Sequence, residues 1–500
     1  SVVCGISALG MKTNAPNILR DEAILQYSIS PEKKARANHS GYVGRCFGSR
    51  VWVHSEKAIV ANCSAVREWD SNGTVFGYNP RLDGHQAGEF GHNDFYPVVI
   101  AACQNNPNYS GIDALKGMIL LDEIRGRLAE VFSLKSYKID HVVHGAIASA
   151  VVYGTIIGAT HEQVEHALGM LIAHYIPWRA IRAGKQLSDS KGASAALSTE
   201  AAIQCVHRAL KGFIGPKDIF RNPEAIFRYF EPTLSNEASP FNLVLTSKGS
   251  DFALMDMHFK LGLYEHQSAS AIQGLLDLIS ADPKLLLHDG PDSIESIVIS
   301  GYTTAFGIIG DPAKRNPKSR QSADHSMVYI ISTVLKKAFS KYEQLLEKQG
   351  DIERIWKLLM LTPLDYNADA ISNSLTRKLM EKIEFRLGGP EYDSKYPEGI
   401  PTSIKITTKG GHEFDSGIVM FPGGHARNTE VNLMEIMRHK FKVLTKLSVE
   451  KQEFVRMAVK MQNIGEMNHE ELLDLYDCNI QFAEESIDGP VGYQGVPAPH

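Results

Sequence analysis

A chain of 500 residues is too long for one ordinary core, so at least two domains are expected. Hydrophobic residues make up 43% and charged residues 22%, which excludes a disordered or collagen-like chain. The net charge of -5 mixes both signs, with no basic stripe for nucleic acid and no apolar run near the roughly 18 residues of a membrane span.

In chain order, SVVCGISALG is apolar and reads as the interior of a helix rather than a beginning. Next comes the Gly-rich stretch REWDSNGTVFGYNPRLDGHQAGEFGHNDFYP, carrying Arg67, Asp70, Thr74, His85, His92 and Asp94. It reads as a long loop, either solvated or holding catalytic groups on a rigid scaffold. From Gly111 to about Leu210 the pattern is helical. Ile112, Leu115, Ile119, Ile124, Leu128 and Val131 recur at one-face spacing, and Thr160 is a plausible cap for HEQVEHALGMLIAHY. The small-residue run HGAIASAVVYGTIIGAT predicts a closely packed core helix, and a further helix runs from Lys191 to a stop at Gly212. Ser235 to Gly249 has loop composition. Beyond it SIESIVISGY and TSIKITTKGGHEFDSGIVM predict strands, the second folded into a hairpin at Gly410-Gly411. A helix is expected from Met327 to Lys348, and helices return from Thr429 to Asp477 before a polar end after Ile487.

The six cysteines are widely spaced with no C-x-x-C pair, which argues for free buried thiols and against a zinc ribbon or cysteine-ligated cluster. Nucleotide-binding, zincin and serine-hydrolase fingerprints are absent. An anionic ligand would therefore need a local cluster of Lys, Arg and His. His141 and His144 precede the small-residue helix and fit either a core or a site. Lys191, heading an apolar helix, would let a carboxylate meet both an ammonium and the positive helix terminus, or is simply solvated. Lys260, Glu265 and His266 share the short segment FKLGLYEH, and Arg179 and Arg182 could grip carboxylates with two bonds or face water.

Several of these segments, taken in order, resemble the MmgE/PrpD family. VANCSAVREWDSNGT resembles the family stretch ending D-x-[DN]-D-T, and GEFGH resembles AEWGH. ADHSMVY is similar to RDHCIQY, FPGGHARN to YPIGHARR, and MNHEELLDLY to MPVNEYLDLY. SVVCGISALG resembles an early family helix, which implies that the first helices of the fold lie upstream of Ser1.

The resemblance implies a mainly α fold with an α+β insert: a helical domain formed by both chain ends, plus a smaller α+β lid. The expected boundaries are 1–254 and 426–487 for the helical domain, 255–425 for the lid and 488–500 for a polar tail. It also implies a cofactor-independent dehydratase with no metal, acting on 2-methylcitrate or a similar small tricarboxylate, and a homodimer. The expected location is the mitochondrial matrix in a eukaryote or the cytoplasm in a bacterium. Carried over by position, the catalytic candidates are Asp70, His92, His141 and Lys191. The substrate-binding candidates are Thr74, Lys260, His266 and Arg182, with Glu265 as the alternative to His266. Asp70 or His141 would be the base, and His92 would help the hydroxyl leave. Three departures fall in this loop: Gly73 stands where the family has Asp, the stretch between Thr74 and His92 is longer, and the family's GHPSDN is GHNDFYP. They leave open two alternatives, a cis-aconitate decarboxylase and an inactive member with a structural role.

Overall fold

The computed structural model describes residues 1–30, 42–76, 78, 90–92, 94–131, 134–182, 187–222, 224–225 and 244–489. Part of the expected loop at Ser235, the position of His85 and the end of the chain from 490 lie outside the described residues. The fold is mainly α. Its first half, after α1 (Val2–Gly10) and α2 (Asn14–Gln26), contains α3 (Ser55–Arg67), α4 (Tyr96–Gln104), α5 (Gly111–Val131), α6 (Val142–Ile156), α7 (His161–His174) and α8 (Asp189–Leu210). Helices α3, α6 and α7 pack on α8. The small residues of α6 permit this closeness: a Cβ on Gly145 would fall 2.0 Å from the ring of Phe95. Thr160 caps α7, its hydroxyl accepting from the Gln163 amide while the Gln163 side chain accepts from the Thr160 amide.

The expected apolar face of α5 needs correction. Ile112 and Ile119 are exposed, whereas Leu121, Ile124 and Leu128 are buried together with Asp122, Glu123 and Arg125. Those charges are tolerated because they are paired, Arg125 with Asp122 and Glu123 with Arg127.

In the second half, α9 (Ala269–Ala281), α10 (Arg320–Ala323), α11 (Met327–Ser340), α12 (Ile352–Leu359) and α13 (Ser374–Glu381) surround a four-stranded sheet. Helices α14 (Leu433–Thr445) and α15 (Lys451–Gln462) follow. The helix expected to run unbroken from Met327 to Lys348 stops at Ser340 and resumes as Tyr342–Leu346.

A short ladder joins β1 (Val43–Arg45) to β2 (Trp52–His54). What reads as one long loop in the sequence is tied at both ends into a second sheet, ordered β4-β3-β5. Strand β3 (Thr74–Phe76) lies between β4 (Phe90–His92) and β5 (Met257–His258). The register places Thr74 opposite His92 on one side and His258 on the other. The larger sheet has β6 (Ile294–Gly301) parallel to β7 (Ile383–Leu387) and antiparallel to β8 (Thr402–Thr408), which forms a hairpin with β9 (Glu413–Asp415). Gly411 at the turn takes φ +80°, a conformation that favours glycine.

Among the described residues two large apolar cores result, beside a small cluster of Ala23, Cys46, Val53, Ala58 and Ala61. One collects α3 to α8 with Leu472, Leu475 and Tyr476; the other collects α9, β6 to β8, α11 to α14 and Trp69. Helix α1 divides between them, Ile6 and Leu9 entering the first and Val3, Cys4 and Ala8 the second. A helix apolar on all sides belongs in such a seam. All six cysteines are free and buried.

Candidate active site

At this seam, directly after Trp69, the chain turns sharply. Asp70 takes φ +47°, a left-handed conformation that costs a non-glycine residue about 1 kcal/mol unless its surroundings hold it. Lys260, three residues past the start of the β5 pairing, supplies the hold. Its Nζ donates to the Asp70 carbonyl at 3.1 Å and to Oδ1 at 2.7 Å. Ser71 Oγ donates to the Gly262 carbonyl at 2.6 Å, and Lys440 of α14 donates to the carbonyls of both Ser71 and Lys260. Three distant stretches are thus laced together by buried ammonium groups.

Asp70 is the centre of the cluster. Arg67 ion-pairs with its Oδ1, while Lys191 Nζ and His325 Nε2 lie 3.9 and 3.4 Å from its Oδ2. Arg67 also reaches Asp94, 3.4 Å away, whose carboxylate accepts from Asn72 Nδ2 at 2.8 Å. Asp324 Oδ1 is 2.5 Å from His325 Nδ1 and 3.9 Å from Lys191 Nζ. Asp70, Lys191, Lys260, Asp324 and His325 are all buried.

The electrostatics follow from that burial. Desolvation alone would raise the Asp70 carboxyl, but Arg67, Lys260, Lys191 and His325 outweigh it and hold it well below the ordinary range. Desolvation lowers the Lys191 ammonium to about 8 against the pull of Asp324 and Asp70. It raises Asp324 to about 7, Lys191 opposing and the charge of Asp70 reinforcing, and holds His325 well below its usual value.

His141 and Arg182 form an adjoining group. Arg182 ion-pairs with the fully buried Asp140, one of its bonds measuring 3.1 Å, and His141 Nδ1 is 3.5 Å from the same carboxylate. Arg182 is therefore not the open carboxylate fork that the sequence suggests. Burial holds His141 well below its ordinary value, with Asp140 opposing and Arg182 and Arg67 reinforcing. His266 Nδ1 lies 2.8 Å from Glu265 Oε1. Burial would raise Glu265, but His266, with smaller help from His325 and Lys260, brings it to about 2. Glu265 thus feels the charges of both His325 and Lys260. His92 is placed by its backbone, opposite Thr74, and Thr74 itself is buried.

The sequence reading assigned no role to Asp324, His325 or Lys440. The first two lie within the motif ADHSMVY, a signal that was present without an assignment; Lys440 carries none.

Asp70, Asp324 and His325 offer ligand atoms within 4.8 Å of one another. As a metal site the set fits poorly, because Lys260, Lys191 and Arg67 already supply cationic charge to the same carboxylate. A cavity of about 660 Å³ lies behind the turn, lined by Ser71, Asn72, Gly73 and Lys440 and by apolar groups such as Met437 and Phe441. Its walls are mostly hydrophobic, and the Asp70 side of the turn is where the charges converge.

Residues 27–237 match the family model of the MmgE/PrpD N-terminal domain, and residues 264–463 match that of the C-terminal domain. The chain belongs to the MmgE/PrpD family. Every member of the cluster lies within one of these two matches except Lys260, which falls between them. Among similar proteins, a 2-methylcitrate dehydratase of Escherichia coli O157:H7 is 22% identical, over 72% of this chain and 70% of the relative. A mitochondrial 2-methylcitrate dehydratase of Yarrowia lipolytica is 25% identical over 73% and 65% of the two chains. A probable 2-methylcitrate dehydratase of Saccharomyces cerevisiae is 21% identical over 75% and 68%. The relatives support a hydro-lyase family. Among the described residues no helix is long and apolar enough to cross a membrane.

Proposed function

We propose that this MmgE/PrpD protein removes water from 2-methylcitrate, or a closely similar tricarboxylate, to give 2-methyl-cis-aconitate without metal or organic cofactor. The observation that carries the reading is a buried carboxylate, Asp70, gripped by cations from three separate stretches of chain: Arg67, Lys191 and Lys260. Dehydration requires loss of a weakly acidic proton alpha to a carboxylate, and the developing charge must be stabilised. Lys191 and Lys260 bind the substrate carboxylates and spread that charge, while Asp70 is the base. Held by three cations, Asp70 is a weak base at rest. A substrate carboxylate that shares Lys191 and Lys260 relieves that hold and strengthens Asp70 at the moment of need.

Thr74 and Glu265 line the same seam in this reading, and the pair His141–Arg182 braces it. The departing hydroxyl needs a proton, and the candidates are His92, whose backbone stands opposite Thr74, and His325, whose Nε2 is 3.4 Å from Asp70 Oδ2. Because Asp70, Lys191 and His325 are buried, the substrate is admitted when residues 255–425 move as a lid against the helical part, 1–254 with 426–487. A homodimer in the mitochondrial matrix of a eukaryote, or the cytoplasm of a bacterium, completes the proposal.

The test is an assay of the purified protein with 2-methylcitrate, citrate and cis-aconitate in the presence of chelator, following unsaturated product and carbon dioxide. Water loss from 2-methylcitrate that survives chelation and vanishes in Asp70→Asn supports the reading. Carbon dioxide from cis-aconitate alone would replace it with a decarboxylase, and silence from folded protein would leave the structural role suggested by Gly73.

A further inference from the structure

The dehydration just proposed, on which this inference rests, needs an acid as well as a base, and the geometry around Asp70 offers one the family comparison did not assign. We propose that Asp324 and His325 form the acid of the site, with His325 Nε2 protonating the departing hydroxyl and then being recharged from Asp70. This gives His325 the part that the sequence suggests for His92.

The imidazole stands between two carboxyl groups, with Nδ1 2.5 Å from Asp324 and Nε2 3.4 Å from Asp70 Oδ2. Its position relative to Asp70 is fixed by the backbone on both sides. Arg320, five residues before His325, bonds the carbonyl of Glu68 at 3.1 Å and ion-pairs with its carboxylate, two residues before Asp70. The Glu265 amide donates to the Asp324 carbonyl at 2.9 Å, and the Ser326 hydroxyl accepts from the first turn of α11. The charged groups that face His325 are Lys191, Asp70, Lys314 and Glu265, besides Asp324 itself. Burial raises Asp324 to about 7, so near neutral pH about half the molecules carry a proton there beside a neutral His325 ring, and that protonated form is the acid.

The proton count closes. Asp70 takes the substrate's C–H proton, the C–H electron pair becomes the double bond, and the C–O pair leaves with oxygen. Oxygen takes the Nε2 proton and departs as water, while Nδ1 takes the proton of Asp324. Asp70 then returns its proton to Nε2 and Nδ1 returns its own to Asp324. The protein ends as it began, and the substrate has lost one water.

A substrate analogue carrying fluorine in place of the hydroxyl separates acid from base, because fluoride leaves without a proton. His325→Asn is expected to slow water loss by about 10²- to 10³-fold while changing fluoride loss less than about threefold. Asp324→Asn, which keeps the imidazole in place, is expected to slow water loss at least about tenfold and spare fluoride loss. Asp70→Asn should abolish both. Water loss unimpaired in both acid variants, or fluoride loss falling in step with water loss, overturns the assignment while leaving the dehydratase reading intact. A wild type that eliminates neither leaving group overturns that reading, and this assignment with it.

Discussion

Lys260 Nζ bonds Asp70 twice, at the main-chain carbonyl and at the carboxylate, so one ammonium fixes both a left-handed backbone and the charge it presents. The two residues lie 190 positions apart in the chain, and the pair of bonds ties the turn after α3 to the segment after β5.

Lys260→Met should therefore cost stability as well as activity. It leaves a buried carboxylate short of one of its cationic partners, Arg67 and Lys191 remaining, and breaking a buried pair of this kind costs about 3–5 kcal/mol. Asp70→Asn in the same background should recover part of that loss, since the stranded charge is gone. Denaturant unfolding of the two single variants and the double variant measures the coupling; additive losses would show that the pair is not the source.

Substrate binding should weaken above pH 8. Burial brings the Lys191 ammonium down to about 8, so it loses its proton as the pH rises through that value and a bound carboxylate loses a partner. With one required proton, affinity falls roughly tenfold per pH unit beyond that point. Calorimetric titration of propane-1,2,3-tricarboxylate between pH 7 and pH 9 measures this, and Lys191→Arg, which stays charged, should flatten the profile.

Thr160→Ala removes one half of the capping box that starts α7, a helix that contributes no residue to the charged cluster. The expected loss is about 1 kcal/mol of stability with kcat and KM unchanged. Thermal unfolding beside the steady-state assay checks both parts.

Gly145→Ala should destabilise by about 1–3 kcal/mol, because the new methyl would lie 2.0 Å from the Phe95 ring in the tightly packed layer around α6. A smaller side chain at the ring's position, Phe95→Leu, should relieve the strain in the double variant. Failure to do so would place the cost in the helix backbone instead.

How much could be read beforehand differs by feature. The capped start of α7 was legible because Thr160 and Gln163 are neighbours in the chain, as was the β8–β9 hairpin around its glycine pair. The face of α5 was not, since hydrophobic periodicity registers apolar side chains and is blind to the pairing that lets Asp122, Glu123 and Arg125 be buried. Strands β3, β4 and β5 are two or three residues long, too short to show alternation, so their sheet reads as a loop. The site itself is a tertiary product. Asp70, Lys191, Lys260 and His325 lie far apart in sequence, and nothing local in any of the four segments announces the other three. The resemblance named three of them, and the fold added His325 with its partner Asp324.

The ladder that sets Thr74 opposite His92 has a practical meaning for redesign. Strand β3 is anchored on its far side by β5, so the start of the intervening stretch is held by a second pairing as well as by β4. Exchanging positions 77 to 89 for the shorter family loop would keep both anchors while removing Tyr78, whose ring lies under the Arg427 guanidinium. Such a chimera would leave the two anchoring residues where they are and isolate what that stretch adds to substrate choice.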